Sequence, residues 1–458
     1  MDHFTNKTSI QSSMQFKNMA LPNFTTECSI DLSFITKYLN PDGTVNIANI
    51  NTDYLSFREV EKGLYLIKYN KHLLKNYEYN TLKGLLRSVL FTKDGIVAFS
   101  PPKSLSEEHI KCFDVDVKIQ QNTKKDTVAN SCKVMNCFKI EDFIEGIMVN
   151  WFYYDNKWRM STKSVLDGNC KFYDDKQKTF RDLFFEAFEM LGLNEEHFHK
   201  EYCYSFVLQH PDYRIVTPFM KPNLYLIDIF ECAAYWQVIK KNKDSECFRE
   251  LLNRVSVPYI HNRINEDNSN IWKNIKNNMI NQNYSYQTVG FQISFGFMRH
   301  KIINPVYEKI KKLRGNNNKL QFQYYSLRHN GEVAEFLKHY PEYKSKFNEY
   351  RNDIHEFTTS LWKNYMMCYV TKVNLLEYCN YQFRPHIKAL HEIYRDRCHS
   401  NSISMKLNVP LLYSSPGITR HVVIEYVNRL PPARLMYIMN YHHRENSVDI
   451  INKELTIY

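Results

Sequence analysis

EDFIEGIMVNWFYYDNKWRMSTKS, residues 141–164, is the stretch of this sequence that decides how the fold is interpreted. The pair Glu145-Gly146 is followed by two runs of apolar and aromatic residues, which favour half-buried strands. The dipeptide Asp155-Asn156 lies between the runs and is typical of a tight turn. The stretch therefore predicts a β-hairpin with an acid and a glycine at its mouth. On this stretch alone, an ordinary structural hairpin remains the alternative.

The composition is that of a folded chain with reduced thiols. Its 458 residues, 43% of them hydrophobic, are enough for two or three domains with cores of their own. The 11 cysteines are scattered without a CxxC pair, which argues against a zinc ribbon and against a disulfide framework. The sequence shows neither a signal-peptide pattern nor an apolar run of the about 18–20 residues that span a bilayer. We therefore expect an intracellular protein without a membrane partner.

The formal net charge of +11 favours a polyanionic partner, with RNA or single-stranded nucleic acid before a membrane surface. Basic and aromatic residues also interleave in the C-terminal part, as a single-strand binding surface requires. These residues are Tyr324, Tyr325, Arg328, Lys338, Tyr340, Lys344 and Lys346. The alternative, which we favour, is a helical bundle whose aromatic residues form the core and whose lysines form the solvated face.

The pattern along the chain predicts three parts. Residues 1–30 are rich in Asn, Ser and Thr and predict a flexible tail. Residues 31–315 alternate strand-like runs with turns; RIVTPF, residues 214–219, is one predicted strand, and Thr179 to Leu191 predicts an amphipathic helix. Residues 316–458 are almost wholly helical in pattern. The fold class is therefore α+β, with an all-α C-terminal domain.

Several common sites are excluded by spacing. The sequence has no Gly-x-x-x-x-Gly-Lys-Ser/Thr phosphate loop and no GxSxG elbow. His197, His199 and His210 lie close in sequence, but side chains two residues apart on a helix end diverge. We therefore predict no metal site.

Four segments, taken in order, resemble the bacteriophage-type RNA ligases of the covalent nucleotidyltransferase superfamily. The resemblance extends in particular to divergent copies in large eukaryotic DNA viruses, including proteins of the immediate-early type. The segments are Arg87 to Gly95, EDFIEGIMVNWFYYDNKWRMSTKS at 141–164, YCYSFVLQHPDYRIV at 202–216 and MRHKIINPVYEKIKKLRGN at 298–316. The resemblance implies an RNA-ligase-like antiparallel-sheet domain over residues 31–315, followed by the helical domain.

The resemblance also implies a chemistry that the residues do not support. In such ligases a lysine attacks the α-phosphate of ATP, carboxylates hold the ribose and a divalent metal, and two lysines stabilise the triphosphate. Here the position of the nucleophile is Phe143, and the glutamates of two motifs fall on Ser205 and Val289. Lys301 is retained in the last motif, but its partner two residues on is Ile303. The resemblance therefore implies an adenylating site that has lost its reaction.

Some polar residues of the motifs persist. Arg87, Glu145, Gly146, Lys163, Arg299 and Lys301 are the candidates for binding a nucleotide cofactor. Lys139 and Lys163 are the candidates for a displaced nucleophile. ATP and Mg²⁺ are expected as cofactors only if the pocket survives, and no metal ligand is assigned.

Three hypotheses follow. The favoured one is a catalytically inactive RNA-ligase-like protein, viral in origin, that binds nucleic acid or a protein partner in the host cytoplasm or nucleus. The second is an active ATP-dependent RNA ligase or nucleotidyltransferase with a displaced lysine. The third is a structural scaffold with a vestigial cleft.

Overall fold

Three antiparallel sheets and a helical C-terminal part make up the protein. The computed structural model describes residues 28–46, 49–50, 55–74, 78–79, 81–106, 138–171, 178–233, 236–264, 275–277, 279, 284–413 and 415–444. Within these ranges every paired strand is antiparallel to its neighbour, and the residues after 303 form helices and connecting loops only. The predicted α+β class is confirmed.

The strands are numbered in chain order. They are β1 (Cys28–Asp31), β2 (Leu55–Glu61), β3 (Leu64–Tyr69), β4 (Val89–Thr92), β5 (Gly95–Phe99), β6 (Phe138–Asp142), β7 (Ile147–Tyr154), β8 (Lys157–Thr162), β9 (Tyr202–Gln209), β10 (Asn223–Ala233), β11 (Gln237–Lys240), β12 (Ile260–Ile264), β13 (Gly290–Phe295) and β14 (Met298–Ile303). The sheet orders are β1-β11-β10-β9-β7-β8, β12-β6-β13-β14 and β2-β3-β4-β5.

The predicted hairpin is confirmed as β7 and β8. Its register pairs Val149 with Thr162. Asp155 and Asn156 have φ values of 51° and 57°, the two positive angles that a type I′ turn requires. The turn thereby matches the right-handed twist of the strands that it joins.

Helices occupy one face of the six-stranded sheet and the whole C-terminal part. The α-helices are Leu82–Leu85, Phe180–Met190, Arg249–Leu252, Pro305–Arg314, Leu320–Asn330, Val333–His339, Lys344–Tyr365, Arg384–Lys406, Arg420–Arg429 and Pro432–Met439. The 3₁₀ turns are Ser33–Tyr38, Glu195–His197, Pro211–Tyr213, Glu246–Phe248, Pro341–Tyr343 and Leu376–Tyr378, and Met366–Val370 is a π-helical turn. None of the helices in the described ranges has the length and hydropathy of a membrane span.

The helix predicted from Thr179 to Leu191 is confirmed as Phe180–Met190. Thr179 caps its first turn, where the Thr179 hydroxyl accepts from the backbone N–H of Asp182 and the Asp182 carboxylate accepts from the backbone N–H of Thr179. Leu183, Phe184 and Ala187 are buried on one side of the helix. These side chains pack into the same hydrophobic cluster as the inner residues of β7 and β9.

A second hydrophobic cluster, here the C-terminal cluster, joins the sheets to the helices. It contains Val216, Val289 and Tyr307 together with buried side chains between Leu320 and Ile438. The division predicted after residue 315 thus crosses a continuous core. That division stays a prediction.

Two details differ from expectation. Residues 1–27 of the predicted tail lie outside the described ranges, but β1 begins at Cys28, because Ile30 is buried and the strand pairs with β11. The strand predicted for RIVTPF is wrong. Its backbone N–H groups at Val216 and Thr217 donate to the carboxylate of Glu145, and they are therefore not paired with a neighbouring strand.

Candidate functional site

A cleft of about 180 Å³ lies where the hairpin mouth meets β6, β13 and β14. Four cations line it: Arg87, Lys103, Arg299 and Lys301. Its volume is below the about 300–1,000 Å³ of typical small-molecule sites. The cleft therefore has the size and the charge to hold at least a small anionic group.

Phe143 stands at the edge of this cleft. Its backbone N–H donates to the carbonyl of Gly290 at 2.9 Å, and its ring packs against the C-terminal cluster. The Nζ atom of Lys301 lies 5.9 Å from the centroid of that ring. Ile303, which pairs with Gly290, packs against the same cluster, and Val289 is a buried member of it. Three positions at which the resemblance expects charge therefore carry apolar side chains that contact one hydrophobic core.

Glu145 points away from the cleft and holds the loop after β9. Its carboxylate accepts from the Val216 N–H at 2.6 Å, the Thr217 N–H at 3.2 Å and the Thr217 hydroxyl at 3.1 Å. Glu145 is buried. The pKa of the neighbouring Tyr307 hydroxyl is raised, first by the burial of Tyr307 and then by the charge of Glu145. This carboxylate thus satisfies buried backbone donors, and it is not among the residues that line the cleft.

Gly146 lies in the cleft wall, at the place where β7 meets β9. Its φ is 151°, and a Cβ atom there would lie 2.4 Å from the carbonyl oxygen of Leu208. Only glycine fits this approach without displacing a strand. The acid–glycine pair therefore has a structural reason for each of its residues.

Ser205 lies inside a buried neutral network below the hairpin. Its hydroxyl donates to Oδ1 of Asn150 at 2.9 Å, and the Asn150 amide donates to the Ser100 hydroxyl at 2.6 Å. Ser205 and Asn150 are both buried. A neutral hydrogen-bonded network therefore occupies the position at which the resemblance expects a glutamate that contacts the ribose.

Arg299 has buried hydrogen-bond donors that a ligand in the cleft could satisfy. One guanidinium nitrogen, Nη2, donates to Oε1 of Gln292 at 2.8 Å, while Nε and Nη1 are buried without a partner. Arg299 is 5% exposed. Burial, and then the charge of Arg299, lowers the pKa of Arg87 to about 10. An anion between Arg299, which is buried, and Arg87, which is half-buried, would stabilise these two guanidinium groups that repel each other.

The two candidate displaced nucleophiles differ in their surroundings. The Nζ atom of Lys139 forms an ion pair with Oε2 of Glu141 at 2.6 Å. Lys163 has no such partner within the described ranges, and its Nζ lies 5.5 Å from the centroid of the Tyr69 ring. Burial, and then the charges of Arg87 and Lys68, lowers the pKa of Lys163 to about 8. Lys163 is therefore surrounded by cations, whereas Lys139 is paired with an acid.

The reactivity of Lys163 can be tested directly. A lysine with a pKa near 8 carries a neutral amine fraction that rises steeply as the pH increases from 7 to 9. We expect acylation of Lys163 by an N-hydroxysuccinimide ester to show a pH midpoint near 8, measured by peptide mass spectrometry. Lys163→Arg serves as the assignment control. Modification that stays flat up to pH 9 would contradict the cationic environment.

Sequence reasoning missed three polar residues here. Lys103 follows Pro101-Pro102 and lines the cleft. Gln292 accepts from the Ser104 hydroxyl at 2.9 Å and so positions the Arg299 contact. Lys243 is buried, donates to the Ile227 carbonyl at 3.1 Å, and has a pKa lowered to about 8 by burial. A single lysine or glutamine outside a motif gives no sequence signal.

The carboxylates of the cleft do not fit a divalent metal. Glu141 is paired with Lys139, and Oδ1 of Asp142 lies 2.6 Å from Nε2 of His261. Among the described residues, Glu186, His210 and Asp212 are the one group whose ligand atoms converge. The Nζ atom of Lys178 lies 2.8 Å from Glu186 and 3.0 Å from Asp212, so an ammonium group already compensates these acids.

Comparison with known proteins agrees with the class that the motifs indicate. No family model matches the chain. An RNA ligase of Rhodothermus phage RM378 is 33% identical over 99 residues, which are 20% of this chain and 22% of that protein. This match confirms the resemblance to RNA ligases. Because it spans about a fifth of the relative's length, it does not carry over the relative's activity.

The chain is also similar, at low TM-scores, to solved structures of ligases. An archaeal ATP-dependent RNA ligase is 10% identical, with a TM-score of 0.34 over 69% of this chain and 73% of that one. A Naegleria gruberi RNA ligase variant with ATP and Mn is 11% identical, with a TM-score of 0.31 over 48% of this chain and 64% of that one. At these scores the fold class rests on the observed strand order and helices.

Proposed function

We propose that this chain is a catalytically inactive, RNA-ligase-like protein that binds nucleic acid through the cationic cleft. The observation that carries the proposal is Phe143, an apolar ring that packs against the C-terminal cluster at the position of the nucleophile. A benzyl group cannot form a phosphoramidate. A viral origin and a location in the cytoplasm or nucleus of a host cell belong to the same proposal.

The remaining positions support loss of the reaction. Ser205 is closed inside a neutral network, and Val289 and Ile303 contact apolar neighbours. The two described carboxylates of the cleft, Glu141 and Asp142, are paired with Lys139 and His261, whereas such a reaction needs carboxylates to hold a divalent metal. Binding of phosphate is supported, in contrast, by the unpaired nitrogens of Arg299.

Adenylylation decides the proposal. We expect no labelled band after incubation with [α-³²P]ATP or GTP and Mg²⁺ or Mn²⁺, followed by heating in SDS. A stable labelled band would overturn the claim of inactivity. Binding of RNA in a salt-sensitive gel shift is the second expectation, and no binding at low salt would favour the scaffold hypothesis.

The second candidate function is an active nucleotidyltransferase that uses Lys163. The observation that favours it is the lowered pKa of this amine, about 8, beside other cations. This function predicts a labelled band that disappears in Lys163→Ala and persists in Lys139→Ala.

A further inference from the structure

A row of lysines continues the cleft across the neighbouring sheet. Lys103, which lines the cleft, has its Nζ 4.2 Å from the ring centroid of Tyr79, and the Tyr79 and Tyr69 centroids are 5.4 Å apart. The Nζ atom of Lys163 lies 5.5 Å from the centroid of Tyr69, the second ring of this pair. Lys68 donates to the hydroxyl of Ser164, the next residue along, at 2.7 Å. Lys68, Lys103 and Lys163, here the outer lysines, therefore stand side by side.

The outer lysines lack acidic neighbours. In the part of the chain that the structure describes, no carboxylate lies within ion-pair distance of any of the three. Their contacts are a hydroxyl and two aromatic faces, which attract a cation without neutralising it. Burial, and then the charge of Arg87, lowers the pKa of both Lys103 and Lys163. Holding like charges together in this way is costly unless an anion compensates them.

Aromatic residues at this surface are not available for base stacking. Tyr69 and Tyr79 form an edge-to-face pair and are 3% and 9% exposed. Their faces are covered by the ammonium groups of Lys163 and Lys103. Among the described residues, a strand that lies here would meet cations and no open aromatic platform.

We propose that the outer lysines and the cleft cations Arg87, Arg299 and Lys301 form one continuous track for consecutive phosphates of a single nucleic-acid strand. The track binds the backbone without stacking or reading the bases. It rests on the proposed function, and it adds the contact surface and the independence from base identity. The Arg299 nitrogens take one phosphate in the cleft, and the outer lysines take those that follow.

The salt dependence of binding tests the track. Six phosphate contacts give a slope of log Kobs against log[salt] of about −4 for a single strand. In fluorescence anisotropy with the full chain and a labelled 20-nucleotide RNA, we expect Lys68→Gln/Lys163→Gln to reduce the slope to about −3. The control is Lys338→Gln/Lys346→Gln, which removes the same charge from exposed lysines of the helical part. The control should keep the slope of the unmodified chain.

The outcomes separate the track from the proposed function. If the unmodified chain binds RNA and only the helical-part variant changes the slope, the track is overturned while nucleic-acid binding stands. If the unmodified chain fails to bind at low salt, both fail. Oligo(U), oligo(A) and single-stranded DNA of equal length should bind within about threefold of one another, because phosphates alone are contacted. A tenfold preference for one base would overturn base independence.

Discussion

Glu145→Ala is expected to lower the free energy of unfolding by about 4 kcal/mol, because it leaves the buried backbone N–H of Val216 and the partly buried backbone N–H of Thr217 without this acceptor. The carboxylate accepts three hydrogen bonds from Val216 and Thr217, and these hold the loop that follows β9. Hydrogen bonds to a charged group are each worth about 1.5–3 kcal/mol. Urea unfolding followed by tryptophan fluorescence measures the loss.

Thr217→Val is the matched control for this change. It removes the hydroxyl bond at 3.1 Å and keeps both backbone bonds, so we expect a smaller loss, of about 1.5 kcal/mol. If the free energy of unfolding of Glu145→Ala stayed within 1 kcal/mol of that of the unmodified chain, the carboxylate would not stabilise the loop as its contacts indicate. It would then be available to a ligand, as the resemblance implies.

Gly146→Ala is expected to be equally damaging, at about 4 kcal/mol, through steric overlap. The new Cβ would lie 2.4 Å from the Leu208 carbonyl and 2.6 Å from Cγ1 of Val207, which forces β7 and β9 apart. The φ of 151° adds backbone strain of about 1–3 kcal/mol. The midpoint of thermal unfolding, followed by circular dichroism, measures the effect.

Gly63→Ala separates steric overlap from backbone strain. Gly63 also has a positive φ, 75°, but a Cβ there meets nothing within 4 Å. We expect a loss of about 1 kcal/mol from strain alone. Equal losses of stability in Gly146→Ala and Gly63→Ala would show that the close contact with β9 is not what requires glycine at position 146.

Local patterns predicted the elements that local interactions determine. The hairpin follows from alternating apolar residues and from Asp155-Asn156, which tolerate positive φ. The core interpretation of the C-terminal aromatic residues is confirmed for Tyr324, Tyr325 and Tyr340, each 4% exposed or less. These three tyrosines are therefore excluded as stacking platforms.

The features that the sequence did not predict depend on contacts between residues that lie far apart in the chain. RIVTPF has the composition of a strand, but Arg214 donates to the carbonyl of His339, 125 residues away, and Glu145 takes the neighbouring N–H groups. The resemblance indicated which charges were lost at Phe143 and Ile303. It did not indicate that these side chains would pack against helices, because the contacting residues lie far along the chain.

The C-terminal cluster couples the sheets to the helices, because residues of both parts contribute to it. A fragment that ended at residue 315 would expose Val216, Val289 and Tyr307 to water, and it would lose the bond from the Tyr340 hydroxyl to the Ile215 carbonyl. The helices therefore support one wall of the cleft, because Phe143 at the cleft edge packs against this cluster. A partner that displaced the helices would also displace Phe143 at the edge of the cleft. Such a partner would change the cleft without contacting any of its cations.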